Sequence, residues 1–409
     1  MWPRLVANKL LRKTLGSNNF VADFPDDSHE SFLSYDEAQM MKDNQQKDIA
    51  KYKIFASTWN VGGIAPPDDL VMEDWLDTQN NLCDIYVLGF QEVVPLRAAN
   101  VLGADRNNIS VKWNCLIRES LNKNTVESNW KGSKEYETEG AENIFQAHQL
   151  SQQEFQCVVT KQMVGIMISV WVRATLRPFI SNTSVSCVGC GIMGCLGNKG
   201  SVSVRFLLHE TSFCFICSHL ASGGREGDQG NRNSNVSEIF SRTSFPRGPL
   251  LELPRKIIDH DHVILLGDLN YRINLPEMTT RRLVDKRDWK TLLQNDQLKM
   301  ELGEGQVFKG WNEGVIDFAP TYKFYVNSDV YYGHGEGKKG EKKRAPAWCD
   351  RIIWYGKGLT QHLYTRGESR LSDHRPVKAI FTTEVAFVHR ENRLLYNSSL
   401  HDRLIINDY

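Results

Sequence analysis

Short apolar runs, each bounded by turn-forming residues, constrain the fold of this chain more than any other sequence feature. Each run has the length and the residue types of a β-strand. Such runs outnumber the segments with helical spacing, so the chain has too few helices to connect its strands in a purely parallel sheet. Mixed, largely antiparallel sheets are therefore predicted. The predicted strands cover residues 53–59, 85–90, 164–173, 201–208, 213–217, 263–266, 351–354 and 377–381.

The segments between several strands space their apolar residues as a helix does, or lack any period. Pro276 stands where a first helical turn tolerates proline. Residues 120–140 are polar and indicate a surface loop, whereas residues 333–344 are rich in glycine and lysine. This second loop is either a flexible cationic strap beside a site or an ordinary solvated loop. Helices are predicted at residues 69–80, 142–155, 250–260, 276–284 and 288–299.

Polar motifs stand at the ends of the apolar runs. Their carboxylates, carboxamides and imidazoles are the groups that hold a metal, a water molecule and a phosphate from several directions at once. The motifs are Trp59-Asn60-Val61, Gln91-Glu92, Ser218-His219-Leu220, Gly267-Asp268-Leu269-Asn270, Trp348-Cys349-Asp350-Arg351 and Ser372-Asp373-His374. Together they predict a metal-dependent phosphoesterase.

Two of these motifs suggest particular roles in hydrolysis. Asp268 and Asn270 are one residue apart and face the same side of an extended chain, so a carboxylate could take a proton from water while the amide orients water or phosphate. A turn cap would have the same sequence. Glu92 follows a strand and is the predicted Mg²⁺ ligand, with Asn60 as its carboxamide neighbour. The alternative for Glu92 is a solvated surface residue.

Taken in order, the motifs resemble those of the inositol polyphosphate 5-phosphatases, a branch of the endonuclease/exonuclease/phosphatase superfamily. The resemblance covers roughly residues 52–381, and residues 98–103 make it closest to the plant type I enzymes. It implies two sheets packed face to face as a sandwich with flanking helices, a four-layer α/β fold. The segments are Thr58-Trp59-Asn60-Val61-Gly62-Gly63, Gly89-Phe90-Gln91-Glu92, Gly197-Asn198-Lys199-Gly200, Pro320-Thr321-Tyr322-Lys323, Pro346-Ala347-Trp348-Cys349-Asp350-Arg351 and Ser372-Asp373-His374-Arg375-Pro376.

The resemblance also implies roles for individual residues. His374 would contact the phosphate, placed by Asp373 beside it and oriented by Asp350. His219 would have a similar role, for which the sequence gives weaker support. Lys323 would bind a neighbouring phosphate of the ring. Gly62 departs from the family pattern, since many members have a second asparagine there. The remaining predicted substrate-binding residues are Arg344 and Arg351 as a second line, and Asn198, Lys199, Tyr271 and Arg272 closer to the reacting group.

The predicted activity is Mg²⁺-dependent removal of the 5-phosphate from soluble inositol polyphosphates, from phosphoinositide lipids, or from both. A nuclease of the superfamily would need a basic track, but Lys+Arg and Asp+Glu both total 49, so no nucleic-acid partner is predicted. A non-catalytic phosphoinositide-binding scaffold should have lost Glu92, Asp268 or His374, and all three are present.

Three segments are predicted along the chain: a partly ordered leader at residues 1–51, a catalytic domain at 52–385, and a tail at 386–409 that packs on the domain or is mobile. The basic residues 1–16 could form an amphipathic helix that docks on the domain or makes peripheral contact with a membrane. No apolar stretch approaches 18 residues, so no membrane-spanning helix is expected.

Two cysteine pairs, Cys187/Cys190 and Cys214/Cys217, have the spacing of a zinc site. Both lie in strand-like sequence, where residues three apart point to opposite faces and cannot easily bind one ion. The pattern therefore favours reduced, buried thiols and a cytoplasmic location.

Overall fold

The strands form two β-sheets, with seven and six strands in the part of the chain that the structure describes. This computed structural model describes residues 20–21, 48–95, 107–123, 154–191, 197–247, 253–305, 307–333 and 344–387. The strands are β1 (Phe20–Val21), β2 (Asp48–Asn60), β3 (Ile85–Gln91), β4 (Phe155–Met163), β5 (Ile166–Arg173), β6 (Ile180–Gly189), β7 (Gly200–Leu208), β8 (Thr211–His219), β9 (His262–Asp268), β10 (Asn312–Glu313), β11 (Asp350–Tyr355), β12 (Leu359–Arg366) and β13 (Val377–Phe387).

Both sheets are mixed and largely antiparallel, as predicted. The first sheet has the order β1-β4-β5-β3-β2-β13-β12, and the second has the order β10-β11-β9-β8-β7-β6. One neighbouring pair in each sheet is parallel, β2 with β3 and β8 with β9. The other pairings are antiparallel.

Helices cover the outer faces of the two sheets, which gives the predicted four-layer sandwich. Within β9, Ile264 and Leu266 pack between the sheets, whereas Val263 and Leu265 pack in the outer layer. A strand that is buried on both faces reads as a continuous apolar run, which is why β9 is recognisable in the sequence. The helices are α1 (Glu73–Leu76), α2 (Asn107–Leu121), α3 (Asp228–Arg242), α4 (Glu277–Asp285), α5 (Trp289–Gln294) and α6 (Gln297–Glu304), with 3₁₀ turns at Arg177–Phe179 and Ile257–Asp259.

Three predicted helices differ from the structure, and local side-chain bonds explain two of the differences. The helix predicted at 69–80 is only α1, because Glu73 accepts hydrogen bonds from the Thr78 hydroxyl and the Gln79 amide and ends the turn. The helix predicted at 288–299 is split into α5 and α6, because Asp296 is extended and caps α6. In the described part of 250–260 only the Ile257–Asp259 turn is present.

Several elements were not predicted. β6 and β12 are edge strands with half-exposed polar residues, so their apolar alternation is weak. α3 is rich in polar residues and buries only Arg232, Val236 and Ile239. α2 begins in a segment for which the sequence predicts neither a helix nor a strand, and its end overlaps the loop predicted at 120–140. The helix predicted at 142–155 lies largely outside the described residues, and its last residue begins β4.

The segments predicted at the two ends of the catalytic domain are only partly described by the structure. β2 begins at Asp48 and β13 ends at Phe387, and these two residues pair. Most of the predicted leader, most of the tail and residues 334–343 of the basic loop lie outside the described residues.

Cys214 packs in the outer layer and Cys217 between the sheets, as expected for opposite faces of a strand. None of the described helices has the length and apolarity that crossing a membrane requires.

Candidate active site

The ends of the two parallel strand pairs meet at one end of the sandwich and bring the polar motifs together. In the first sheet Asn60 is paired with Gln91, directly before Glu92. In the second sheet His219 and Asp268 are opposite each other. Asp350, the first residue of β11, pairs with Asp268 from the other side. Strand register within each sheet and the packing of the two sheets together place these carboxylates, the carboxamide and the imidazole in one small region.

Asp268 is the centre of this region. The Asn60 Nδ2 donates to Asp268 Oδ2 over 3.0 Å, and His219 Nε2 lies 3.2 Å from the same oxygen. The Asn270 backbone amide donates to Asp268 Oδ1 over 3.1 Å. Burial opposes ionisation of Asp268, but the hydrogen bond from His219 and the positive charges nearby, those of His374 and Lys199 among them, outweigh it and lower its pKa. Asp268 is therefore an ionised, fully oriented carboxylate.

Glu92 and Asn60 form the more open side of the site. The Asn60 Nδ2 lies 3.4 Å from Glu92 Oε1, so one carboxamide joins Glu92 to Asp268. The side chain of Glu92 keeps 28% of its surface exposed. A carboxylate that is partly open to water fits a hard cation that keeps part of its water shell. Asn60 presents its amide nitrogen to Glu92, and its Oδ1, which accepts from the Gly62 amide over 3.0 Å, is the atom that could bind such a cation.

His374 and Asp350 form a buried pair next to Asp268. The His374 Nδ1 lies 2.9 Å from Asp350 Oδ2, and the Thr321 hydroxyl donates to the same oxygen over 2.6 Å. Burial favours the neutral imidazole, but the charge and hydrogen bond of Asp350, with Asp268 further away, raise the pKa of His374 to about 9. Ligand atoms of Asp268, Asp350 and His374 lie within 4.8 Å of one another. Because His374 is protonated at pH 7, this trio holds a positive charge next to Asp268.

His219 and Lys199 lie on the other side of Asp268. Lys199 Nζ contacts His219 Nε2. Burial lowers the pKa of Lys199, although Asp268 and Glu92 oppose this effect. Burial and the Lys199 charge lower the pKa of His219, so this imidazole is neutral at pH 7. Within the described ranges the buried Asn198 Oδ1 has no hydrogen-bond partner. Lys199 and His219 therefore place an ammonium group and a neutral imidazole next to Asp268.

Arg272 and Lys323 extend the positive charge away from Asp268. The Arg272 Nη2 donates to Asn270 Oδ1 over 2.7 Å, and its guanidinium lies 4.3 Å from the centre of the Tyr322 ring. The next residue, Lys323, forms an ion pair of 2.7 Å with Asp373 Oδ2. Arg344 is half-buried, and its charge acts on Tyr322. The site therefore has inner cations close to Asp268, among them Arg272, and outer cations, which are Lys323 and Arg344.

Arg351 is not brought to the site, so its prediction as a substrate-binding residue is corrected. Its guanidinium is fully buried, with Nε and Nη2 donating to Glu313 over 2.6 and 2.7 Å and Nη1 donating to Asp296 over 2.9 Å. Those contacts leave the guanidinium no free face for a ligand. Arg351 instead fastens β11 to β10 and to the start of α6.

Tyr271 is the second correction. Its ring is fully buried in the outer layer, and its hydroxyl donates to Asn233 Oδ1 of α3 over 2.7 Å. Arg232 lies over the ring at 5.5 Å. Burial raises the pKa of this hydroxyl, which is therefore neutral. Tyr271 thus packs a helix onto the second sheet and does not face the reacting group.

Sequence reasoning missed three supporting residues. Thr321 completes the partners of Asp350, and the Tyr322 ring lies 4.6 Å from the His374 ring. Ser372 donates to the Asn60 carbonyl over 2.6 Å and thereby joins the segment that carries His374 to the end of β2. All three lie inside motifs that were already recognised, so motif membership was the available signal.

The fold and this geometry define a phosphatase of the endonuclease/exonuclease/phosphatase class. Residues 57–380 match the model of the Endonuclease/Exonuclease/phosphatase family 2. The inositol polyphosphate 5-phosphatase domain of SPsynaptojanin, crystallised with inositol (1,4)-bisphosphate and a calcium ion, is 30% identical, with a TM-score of 0.68. That similarity covers 90% of this chain and 94% of the domain.

Two relatives narrow the class to a family. Type IV inositol polyphosphate 5-phosphatase 9 of Arabidopsis thaliana is 61% identical over 98% of this chain and 96% of its own length. Type I inositol polyphosphate 5-phosphatase 8 of the same plant is 43% identical over 96% of this chain and 88% of its own length. The chain therefore belongs to the inositol polyphosphate 5-phosphatases. The more similar of these two relatives is a type IV enzyme, whereas residues 98–103 had suggested type I.

Proposed function

We propose that the chain hydrolyses the 5-phosphate of inositol polyphosphates, in soluble form, in phosphoinositide lipids, or in both, with Mg²⁺ as its cofactor. The observation that carries this proposal is the position of ionised Asp268. It lies between neutral His219 and the Asp350–His374 pair, at the inner end of a row of cations. Asp268 could deprotonate a water molecule beside it while the two histidines contact the phosphate.

The protein residues divide the work of hydrolysis. Asp268 accepts the proton of the attacking water, and the Asn270 amide bond holds that carboxylate in one orientation. His374, kept protonated by Asp350, stabilises the negative charge that grows on the phosphoryl oxygens. Lys199 and Arg272 would neutralise the ground-state charge of the same phosphate.

Glu92 and Asn60 would hold the divalent cation. A carboxylate whose pKa is lowered is a weak base, so Asp268 needs an attacking water that is more acidic than bulk water. When bound, a divalent cation supplies that acidity and neutralises charge on the phosphate and the leaving oxygen. The solved 5-phosphatase domain that resembles this chain was crystallised with a calcium ion, which supports a divalent cation here.

Two experiments test the reaction and its metal. Phosphate release would be measured from soluble inositol phosphates and from the corresponding lipids in vesicles, with Mg²⁺, with Ca²⁺ and with excess chelator. Release of the 5-phosphate that requires Mg²⁺ is the expected result, and undiminished turnover in chelator would reject the metal. Glu92→Gln should raise the Mg²⁺ concentration needed for half-maximal activity, whereas Glu384→Gln on the distant β13 should not change it.

Contact with a membrane surface is supported by apolar side chains beside the outer cations. The segment after Lys323 exposes 38% of Tyr325 and 48% of each of Val326 and Val330. Its base is fixed by the stacked Phe324 and Tyr331 rings at 4.3 Å. An apolar tip next to cations suits the interface of an anionic membrane. Such contact would make the protein peripheral at membranes, which agrees with the cytoplasmic location that we propose.

The membrane part of the proposal has its own test. Val326→Asp should reduce activity on phosphoinositides in vesicles and leave activity on soluble inositol trisphosphate unchanged. Val315→Asp is the matched control, because Val315 is 82% exposed and lies outside this segment. Equal losses with both variants, or a loss on the soluble substrate, would contradict membrane contact at this tip.

A further inference from the structure

Asp373 does not bond to the histidine that follows it. Its Oδ2 instead lies 2.7 Å from Lys323 Nζ, and the two side chains keep 23% and 28% of their surface exposed. The imidazole of His374 has its own carboxylate partner in Asp350. The carboxylate in the Ser-Asp-His motif is therefore available for a role in substrate recognition.

The backbone joins this ion pair to the catalytic imidazole. The Phe324 amide donates to the Asp373 carbonyl and the Arg375 amide donates to the Thr321 carbonyl, both over 2.9 Å. Between these two bonds the Tyr322 ring lies against the His374 ring at 4.6 Å. One short pairing of two segments thus fixes both the group that acts on the reacting phosphate and the cation beyond it.

Contacts on the remaining sides hold the ion pair in place. Gly62 has a φ of +60°, and a Cβ atom there would lie 3.2 Å from Asp373 Oδ1. The Gly62 amide donates to Asn60 Oδ1 over 3.0 Å, so the carboxylate packs on the loop that carries Asn60. The Tyr332 ring lies 5.3 Å from Lys323 Nζ. Such enclosure restricts the rotamers of a side chain that is otherwise flexible.

We propose that Asp373 is a positioning residue for substrate selection: it holds the Lys323 ammonium where a ring phosphate that is not hydrolysed binds. This inference rests on the proposed function. A lysine has three N–H donors, so the bond to Asp373 leaves two for a phosphate. Without Asp373, the four-carbon side chain would have to be ordered by the substrate, and that entropy cost would weaken binding in ground and transition states alike.

Two electrostatic effects bear on the test. Burial opposes ionisation of Asp373, but the charges of His374 and Lys323 outweigh it and lower its pKa, so the carboxylate is charged at pH 7. That charge also repels an incoming phosphate. The repulsion acts over a longer distance through a half-exposed region, where solvent screens it, whereas the ion pair is in direct contact. Positioning should therefore outweigh repulsion.

The experiment uses the full chain and two substrates, inositol 1,4,5-trisphosphate and inositol 1,5-bisphosphate, which lacks the neighbouring phosphate. Asp373→Asn should raise the KM for the trisphosphate about tenfold, the size expected for a charge-assisted bond, with kcat changed less than about twofold. The bisphosphate, which has no phosphate for Lys323, should be almost unaffected. Asp373→Glu should recover part of the KM.

A double variant and a control complete the design. Asp373→Asn combined with Lys323→Met should be no worse on the trisphosphate than Lys323→Met alone, since both changes remove one interaction. Asp68→Asn makes the same change in a lysine pair whose aspartate is 92% exposed, and it should have no effect on either substrate. The unfolding temperature of each variant reports on its folding.

Three results would overturn the inference: a loss of kcat on both substrates, an equal rise of KM on both, or a lower KM for the trisphosphate. The first would make Asp373 part of the chemistry, the second part of the fold, and the third only a competitor of the phosphate. Failure of the proposed function itself is distinct, because the wild-type protein would then release the 5-phosphate from neither substrate.

Discussion

Asp350 and Arg351 are consecutive residues of one motif, yet they serve two different regions of the molecule. Asp350 contacts His374 and Thr321 and lies next to Asp268 at the open end of the sandwich. Arg351 is enclosed by Asp296 and Glu313. Successive side chains of a strand point to opposite faces, so β11 delivers one charge to the site and the other to a closed ion-pair cluster.

The two regions differ in whether their charged groups are still accessible to a ligand. The Arg351, Asp296 and Glu313 side chains are fully buried, and Lys299, which is 30% exposed, lies 2.9 Å from Glu313 Oε2 and balances the second carboxylate. In the active site, by contrast, Glu92 and Lys323 remain partly exposed. A closed cluster sets the shape of the fold, whereas a partly open one is ready for a ligand. The four predictions below test this division.

The largest effect is expected for Arg351→Met, which should cost about 3–5 kcal/mol of stability because it leaves the buried Asp296 without a counter-charge and leaves Glu313 paired only with Lys299. Chemical denaturation would measure the loss, and the protein that remains folded should keep its KM. Arg351→Lys is the control, because it retains one charge without the fork that reaches both partners. A raised KM with full stability would return Arg351 to substrate binding.

Asp268→Asn should lower kcat by at least about a hundredfold, because it removes the base and keeps the shape of the side chain. Stability should fall less than it does for Arg351→Met, since the amide oxygen can still accept from Asn60 and His219, although the NH2 group loses the bond from the Asn270 backbone amide. Phosphate release and the unfolding midpoint would be recorded on the same preparation. A kcat within a few fold of wild type would place the base elsewhere.

Lys323→Ala should raise KM for inositol 1,4,5-trisphosphate about tenfold and leave kcat largely intact, because it removes an interaction common to ground and transition states. For inositol 1,5-bisphosphate, the KM of the same variant should differ little from that of the wild-type protein. Arg370→Ala provides a comparison, since Arg370 pairs with Asp329 and is 57% exposed. Equal losses on both substrates would mean that Lys323 acts on the reacting phosphate or on the fold.

The smallest effect is expected from pH. The Asp350 charge raises the pKa of His374 to about 9, so the imidazolium persists below that value and is lost above it. We expect kcat to stay level between about pH 7 and 8 and to fall to about half as pH rises through the pKa. Asp350→Asn should move this decline to lower pH. A kcat that stays level beyond pH 10 would show that the proton on His374 is not used.

The strand ends made much of the architecture and the centre of the site predictable. Asn60, His219 and Asp268 each follow strand residues that are buried on both faces, and such stretches are visible as apolar runs. Partners that depend on tertiary pairing were not visible. Nothing local in the sequence shows that Arg351 takes up the carboxylate of Asp296, or that Asp296 therefore interrupts a helical pattern.

The resemblance of motifs had a related limit. It correctly singled out Asp350 and His374 as partners. It could not say which neighbours within a motif face inward, so Tyr271 and Arg351 were assigned to the substrate and proved to be packing residues. The burial and the partners of each side chain decide that question, and both come from the folded chain.

The parallel pairing of β8 with β9 has a consequence for how the protein opens. Asp268 and His219 end strands that lie inside a sheet, with hydrogen-bonded neighbours on both sides. Amide protons of such strands exchange with solvent only in the costliest openings, those that approach global unfolding. The base and its imidazole are thus carried by the slowest-exchanging part of the molecule, so heat inactivation should follow cooperative unfolding and not local fraying at the site.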